Sequence, residues 1–461
     1  MRRIPLAVIC LVVLLATAVA ALQNPPAAPP QGQQPPAPQQ QSEIGLTINP
    51  LDPGSPPKYA VPDFIALSKD AETQAAARTL GQVLWDDLDF EREFYMIPRD
   101  TYGSIPVARS VDDVPFDRWL ELGADGLAIG SVQKDGNALK IQVRLFNVRS
   151  RQGVFAREYS GAAANPRVFA HTAADEIHKQ QRALNGVART RLTFASDRDR
   201  EKVTGTVENR DVKEIYIADY DGANQRRITV NRALNITPTW SPDGKAIAYT
   251  SYARGFPTLF ISMIFEGKRL EPTSGGTQNW LPAWSPDGSK IAFTSSRDGN
   301  AELYVMNRDG SGVRRLTSNP MIDTTPTWSP TGAQIAFTSD RSGSPAIYVM
   351  GADGLNLRRI STDGYCDRAT WSPAPFNELA FVCRTGPGYD IKIYDFAESA
   401  TRQITFGEGS NESPAYAPNG RHIAFTSTRA GKVQIFTVGR DGKGLRQITK
   451  IGNNFTPDWS H

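Results

Sequence analysis

One short signature recurs along the second half of the chain and limits its fold more than any other feature. It reads Pro238-Thr239-Trp240-Ser241-Pro242-Asp243-Gly244, then Pro282-Ala283-Trp284-Ser285-Pro286-Asp287-Gly288, then Pro326-Thr327-Trp328-Ser329-Pro330-Thr331-Gly332. Altered copies follow at Ala369-Thr370-Trp371-Ser372-Pro373 and Pro414-Ala415-Tyr416-Ala417-Pro418-Asn419-Gly420, and a truncated one at Pro457-Asp458-Trp459-Ser460. The aromatic position advances in steps of about 43–45 residues. Each copy leads into an apolar strand such as Ile291-Ala292-Phe293-Thr294-Ser295. A second strand follows, as at Leu303-Tyr304-Val305-Met306, then an Asp309-Gly310 turn and Arg314-Arg315-Leu316-Thr317. Four short antiparallel strands per unit of this length is the pattern of a β-propeller blade.

The count of strands closes on itself. The last copy is a first strand with no partner strands behind it, and the missing ones stand before the first full unit. They are Leu192-Thr193-Phe194-Ala195-Ser196, Glu214-Ile215-Tyr216-Ile217 and Arg226-Arg227-Ile228-Thr229. Joining them predicts six blades over residues 187–461, closed by the C-terminal strand, which removes the bare sheet edges that invite aggregation.

The first 186 residues read differently. Arg2 and Arg3 precede an apolar run from Ile4 to Leu15 and the small residues Ala16 to Ala21, the three parts of a secretory signal over residues 1–21, with cleavage after Ala20 or Ala21. The run is short of the roughly 20 residues a membrane span needs, so no direct span is expected. Residues 22–42, almost all Pro, Gln and Ala, cannot bury enough apolar surface to offset their ordering entropy and read as a disordered spacer. Residues 43–186 mix strand and helix patterns. Ile44–Ile48 and Tyr59–Phe64 read as short strands, and Ser68 or Asp70 can cap a helix carrying Leu80, Val83, Leu84 and Leu88. A short helix around Phe116, Trp119 and Leu120 stops at Gly123, and a hairpin turns at Asp135-Gly136. A last helix begins at Asn165-Pro166 and ends at Gly186. The fold class is therefore α+β multidomain: a small α/β N-terminal domain, then an all-β six-bladed propeller.

Charge and composition exclude several function classes. With 51 Lys+Arg against 48 Asp+Glu the chain carries no strongly basic block, so nucleic acid is not an expected partner. Four His and three Cys leave little for a zinc centre or a Cys/His catalytic site. No G-x-S-x-G elbow occurs. His171 and His178 are seven apart, about 10.5 Å along a helix axis, too far to share a metal. His422 lies on a blade strand without a visible partner, and Asp219-Tyr220-Asp221-Gly222 reads as a turn as readily as a calcium loop. Neither catalysis, cofactor nor metal is expected. A solute- or glycan-binding propeller using its channel mouth remains the alternative to a protein scaffold.

The junction carries a more specific signal. His171-Thr172-Ala173-Ala174-Asp175-Glu176-Ile177 followed by Gly186-Val187-Ala188-Arg189-Thr190-Arg191, together with the order of signal, small domain and six blades, resembles the TolB family of the Tol-Pal envelope system. The resemblance implies a periplasmic scaffold, monomeric within a multiprotein complex. Its propeller would bind the lipoprotein Pal and its N-terminal segment would bind TolA, in support of outer-membrane constriction at division and of envelope integrity. The TolA-binding segment would be residues 43–54, where Ile44, Leu46 and Ile48 alternate as in a strand added to a partner's sheet edge. A permanent edge strand of the N-terminal domain is the other reading of that segment.

Two sites follow. The residues entering each innermost strand should ring one mouth of the channel: Gln278, Asn279, Trp280, Leu281, Thr324, Thr325, Asp367, Arg368, Glu412 and Phe455. Trp280 and Phe455 beside Arg368 and Glu412 form the aromatic-in-polar arrangement of a protein-binding hot spot. The resemblance implies that Pal contacts fall on these loops, with Gln278, Leu281 and Thr324 at matching positions. Cys366 stands where the other blades have Asn235, Asn279, Asp323, Asn411 and Asn454, and Cys383 stands where the hairpin returns. In an oxidising compartment the two are expected to form a disulfide.

Overall fold

The computed structural model describes residues 55–202, 212–273 and 276–460. The signal, the spacer and the segment containing Ile44, Leu46 and Ile48 lie outside the described residues.

The N-terminal domain is one sheet with helices against it. Strands β1 (Lys58–Ala60), β2 (Ile65–Ala66), β3 (Tyr95–Met96), β4 (Gly126–Asp135), β5 (Ala138–Asn147) and β6 (Gln152–Ala162) run in the order β3-β1-β4-β5-β6, with β2 beside β4. Of the stretch expected as a single strand from Tyr59 to Phe64, only Tyr59 and Ala60 lie in a strand, β1; residues 61–64, with Pro62 among them, lead to β2. Pro62 has no N–H to give to a ladder. Helix α1 (Ala71–Phe90) starts at Asp70, whose Oδ1 accepts from Thr73 N at 2.9 Å. It buries Leu80, Val83, Leu84 and Leu88. A Cβ on Gly81 would lie 2.5 Å from the Pro62 carbonyl oxygen, so glycine sets how closely α1 rides over the chain. Helix α2 (Phe116–Glu121) is followed by Gly123 at φ +84°. Helix α3 (Arg167–Arg182) does not run to Gly186. It stops when Ala183 turns left-handed at φ 53° and its N–H bonds back to the Lys179 carbonyl.

The propeller is a ring of six four-stranded antiparallel sheets. Blade I takes its innermost strand, Asn454–Trp459, from the C-terminal end and its others, Arg191–Ser196, Glu214–Asp219 and Arg226–Arg227, from the start of the domain. Arg191 N donates to Ser460 Oγ at 2.9 Å and Ser460 N to the Arg191 carbonyl at 2.8 Å, fastening the closure. Blades II to V open with Asn235–Trp240, Asn279–Trp284, Asp323–Trp328 and Cys366–Trp371, and blade VI with Asn411–Tyr416. The second strand of each blade is buried almost throughout, because a neighbouring blade covers each face. The signature Trp fills the space between blades: Trp240 packs with Ile215 and Ile217 of blade I, Trp284 with Leu259 and Ile261 of blade II. The following Ser-Pro-Asp-Gly is a turn held by its own side chains. In blade III, Ser285 Oγ donates to Asp287 Oδ1 at 2.5 Å and accepts from Lys290 N at 2.9 Å, with Gly288 at φ +69°.

The N-terminal domain sits on the end of the ring formed by these turns, under blades I and VI. The end of α1 makes the contact. Asp87 accepts from Tyr220 Oη at 2.6 Å and lies 2.8 Å from His171 Nδ1, while Glu91 lies 3.0 Å from His422 Nε2 and accepts from Asn419 Nδ2 at 2.9 Å. Phe90 packs between Tyr220 and His422. His422 thus has a partner, supplied by the other domain, and His171 and His178 are both buried. Burial works against the Glu91 carboxylate, yet the hydrogen bond from His422 and the charges of His422, His178 and Arg421 outweigh it and hold its pKa below the usual range.

Candidate protein-docking face at the channel mouth

The end of the ring away from the N-terminal domain is built from the loops entering each innermost strand. Every innermost strand begins in register with its neighbour, breaks with a bulge, and resumes. The third residue of each lies in the left-handed region: Thr237 (φ 50°), Leu281 (57°), Thr325 (51°), Arg368 (54°), Ser413 (55°) and Thr456 (47°). None is glycine and three are β-branched, so each carries backbone strain that the surrounding ladder holds in place. Proline follows in five blades and Ala369 in blade V, and proline bars the right-handed helical region to the residue before it.

These six residues line the mouth, a cavity of about 160 Å³. Arg368 is the cation among them. Its Nη1 donates to Ser413 Oγ at 3.3 Å, and its backbone N–H donates to Asp367 Oδ1 at 2.7 Å. Asp367 also accepts from Thr338 Oγ1 at 2.7 Å, so its carboxylate secures the bulge. Deeper in the channel, Asp458 Oδ2 accepts from Trp240 N at 2.7 Å, and burial in the wall pushes its carboxyl up to about 6.

The structure brings Leu281, Thr325 and Arg368 to the mouth itself and places Trp280, Thr324, Glu412 and Phe455, all half-buried, beside it. Gln278 is exposed. Glu412 Oε1 accepts from Ser410 Oγ at 2.7 Å, and Lys213 Nζ stands 3.9 Å over the Phe455 ring. Asn279 is not available for contact. It is 1% exposed, and its Oδ1 accepts from Arg297 Nη2 at 2.9 Å. That bond belongs to a repeated clamp in which Arg198, Arg297, Arg341 and Arg429 each bridge the first residue of an innermost strand to a Ser on the next strand. Blade V has Cys366 opposite Cys383 at that register, with Sγ atoms joined as a disulfide and Thr385 in place of the Arg.

Sequence reasoning missed an outer ring of apolar side chains on the same face. Val230 (75% exposed), Phe406 (72%) and Ile451 (66%), with Met321, Ile322 and Tyr365, occupy the loops just before the innermost strands. The available signal was an apolar residue in a loop otherwise built of Ser, Thr, Asn and Gly. Among the described residues nothing covers this ring.

The comparisons with known proteins agree with this architecture. The TolB amino-terminal domain model matches residues 54–154, and the TolB beta propeller domain model matches 182–375 and 364–461. The Tol-Pal system protein TolB of Desulfosudis oleivorans is 33% identical over 211 residues, 45% of this chain and 46% of that protein. That of Hahella chejuensis is 33% identical over 229 residues, 49% of this chain and 50% of its own. The aligned chain thus spans about half the length of these curated relatives. The crystal structure of TolB from Acinetobacter baumannii superimposes with a TM-score of 0.74 at 23% identity, covering 88% of this chain and 97% of that one. That likeness concerns the fold. The propeller match alone takes in more than half of the sequence, and with the blade count, the closing strand and the small leading domain already in place, the chain belongs to the TolB family.

Proposed function

We propose that this chain is a non-enzymatic periplasmic scaffold of the Tol-Pal system. In this reading it is exported by the signal at residues 1–21 and acts as a monomer within a multiprotein complex. The face at the channel mouth binds the lipoprotein Pal through Gln278, Trp280, Leu281, Thr324, Thr325, Asp367, Arg368, Glu412 and Phe455, and residues 43–54 bind TolA. The joint attachment supports constriction of the outer membrane at division and keeps the envelope intact.

The observation that carries the Pal reading is the ring of six strained bulges, with aromatic and apolar side chains around it, on the face opposite the N-terminal domain. Strain of this kind holds side chains in one arrangement before a partner arrives, which lowers the ordering cost of association. A solute in the mouth is less well supported. The cavity is about 160 Å³, against roughly 300–1,000 Å³ for small-molecule sites. The histidines at 171, 178 and 422 are engaged at or beside the domain contact and do not reach the mouth.

The test is calorimetric titration of Pal against Trp280→Ala/Thr324→Arg. The double variant should lose at least ~2 kcal/mol of binding with its circular dichroism intact; unchanged affinity moves the site off this face. Deleting residues 23–54 should abolish TolA binding and leave Pal binding and the propeller's melting transition in place. Normal TolA binding by the deletion variant would end that assignment.

A further inference from the structure

The third strand of each blade begins on the mouth side, and in blades I and III its first residue is a buried acid, Glu214 or Glu302. Each is bridged within its own blade by a guanidinium from the outermost strand: Arg227 Nη2 to Glu214 Oε1 at 2.9 Å, and Arg315 Nη2 to Glu302 Oε1 at 2.9 Å. Blade V has an acid at the same place, Asp390, 2% exposed. Opposite it stands Gln403, paired with Lys392 as Arg315 is paired with Tyr304. Among the described residues no cation lies within ion-pair distance of Asp390. Its oxygens accept from Thr385 Oγ1 (2.5 Å), Thr405 Oγ1 (2.9 Å), Gly407 N (3.0 Å), Asn411 Nδ2 (3.0 Å) and Gln403 Nε2 (3.3 Å). These bonds replace the lost hydration, and the cation whose charge reaches Asp390, Arg429, is not in direct contact with it.

The surroundings have lost side chains too. Where blade III carries Arg297, Asp298 and Asn300, with Arg297 lying over the rings of Phe293 and Tyr304, blade V carries Thr385, Gly386 and Gly388. The result is a notch of about 600 Å³ lined by Thr385, Gly388, Asp390, Gln403, Phe406 and Gly409, within the roughly 300–1,000 Å³ of ordinary ligand sites. A Cβ on Gly388 would come 3.2 Å from the Gly409 carbonyl oxygen, and one on Gly409 2.7 Å from Thr428 Oγ1, so the walls depend on glycine. Phe406 stands at the rim, 72% exposed. The nearby cations are engaged elsewhere: Lys392 Nζ with Asp363 at 2.8 Å, and Arg429 Nη1 with Glu408 at 3.1 Å.

We propose that this notch binds a guanidinium or ammonium group, with Asp390 supplying the negative charge at its floor and Phe406 an aromatic face at its rim. Blades I and III provide that cation from their own chain, and blade V receives it from outside. A cation there gains from a carboxylate in a low-dielectric floor and from the ring quadrupole. The group can arrive on a basic polypeptide side chain or as a small free cation. The site lies outside the mouth and does not depend on the Pal reading.

The test uses the mature ¹⁵N-labelled chain and three probes at millimolar concentration: methylguanidinium, N-acetylarginine methylamide and its uncharged citrulline counterpart. Both charged probes should shift the amide resonances of Gly407 and Gly409, with the citrulline probe weaker by about tenfold or more. Tighter binding of the arginine amide than of methylguanidinium identifies a polypeptide source, and equal binding a free cation. Gln403→Arg should fill the notch from within and remove the shifts without lowering the melting temperature. Asp390→Asn should also weaken binding, and the Gln403→Arg result stands if that variant fails to fold. Equal shifts from the citrulline probe, no shift from any probe, or unchanged binding by Gln403→Arg would overturn the proposal.

Discussion

Asp458 occupies the position that is Thr239, Ala283, Thr327, Thr370 or Ala415 in the other blades, and so places one carboxyl in a channel wall otherwise lined by neutral groups there. Burial raises its pKa to about 6, against the lowering effect of the Trp240 N–H. A carboxyl whose folded pKa lies above its unfolded value adds stability that is fully present below the unfolded pKa and is lost as pH rises through the folded one. Wild-type stability should therefore gain a component as pH falls from 7 toward 5. Asp458→Asn keeps an acceptor for Trp240 N–H and should lack that component. Urea unfolding of both proteins across this range measures the difference, and parallel curves would show that Asp458 does not titrate there.

At the level of the element, blade V departs most from its neighbours. Its innermost hairpin carries a disulfide between Cys366 and Cys383 where four other blades use an Arg-bridged pair. Closing a loop of this length contributes on the order of 3 kcal/mol through the unfolded chain. Replacing both cysteines by alanine should cost about that much in urea unfolding. Cys366→Asn/Cys383→Ser/Thr385→Arg, which installs the sister clamp, should recover about 1 kcal/mol. No recovery would mean that the clamp depends on the Phe–Tyr platform that blade III has and blade V lacks. The facing of Cys366 and Cys383 was legible because blade alignment fixes register. The left-handed residues at the mouth were not legible. Thr237 and Thr456 are β-branched, and nothing in their own chemistry announces a positive φ; the bulge imposes it. The end of α3 was misplaced for a related reason, since Ala183 took the left-handed turn that Gly186 would have taken more easily.

Across the whole molecule, the blade count and the closure could be read from spacing alone, because each signature aromatic, Trp in five blades and Tyr416 in blade VI, marks one innermost strand. The domain contact could not. Glu91 and His422 are more than 300 residues apart in sequence, and each alone looks like a polar residue with no assigned neighbour. Only the fold brings the end of α1 to the turns of blades I and VI. Closure also makes a prediction at this scale. Removing residues 454–461 would bare the Arg191–Ser196 edge and deprive Trp240 of the Asp458 acceptor at its backbone. The truncated protein should lose its cooperative melting transition and associate, read by calorimetry and light scattering. A monomeric variant with a sharp transition would show that five complete blades suffice.

The same clasp sets an order in time. The strand that completes blade I leaves the ribosome after every other strand of the ring, so the partner edge at Arg191–Ser196 has to wait through the synthesis of the five intervening blades. Contacts spanning most of the chain form slowly, and unpaired edges are prone to misassembly while they wait. A ring that cannot finish before its last strand arrives stays open throughout synthesis, and its first edge has to be kept from other partners until then.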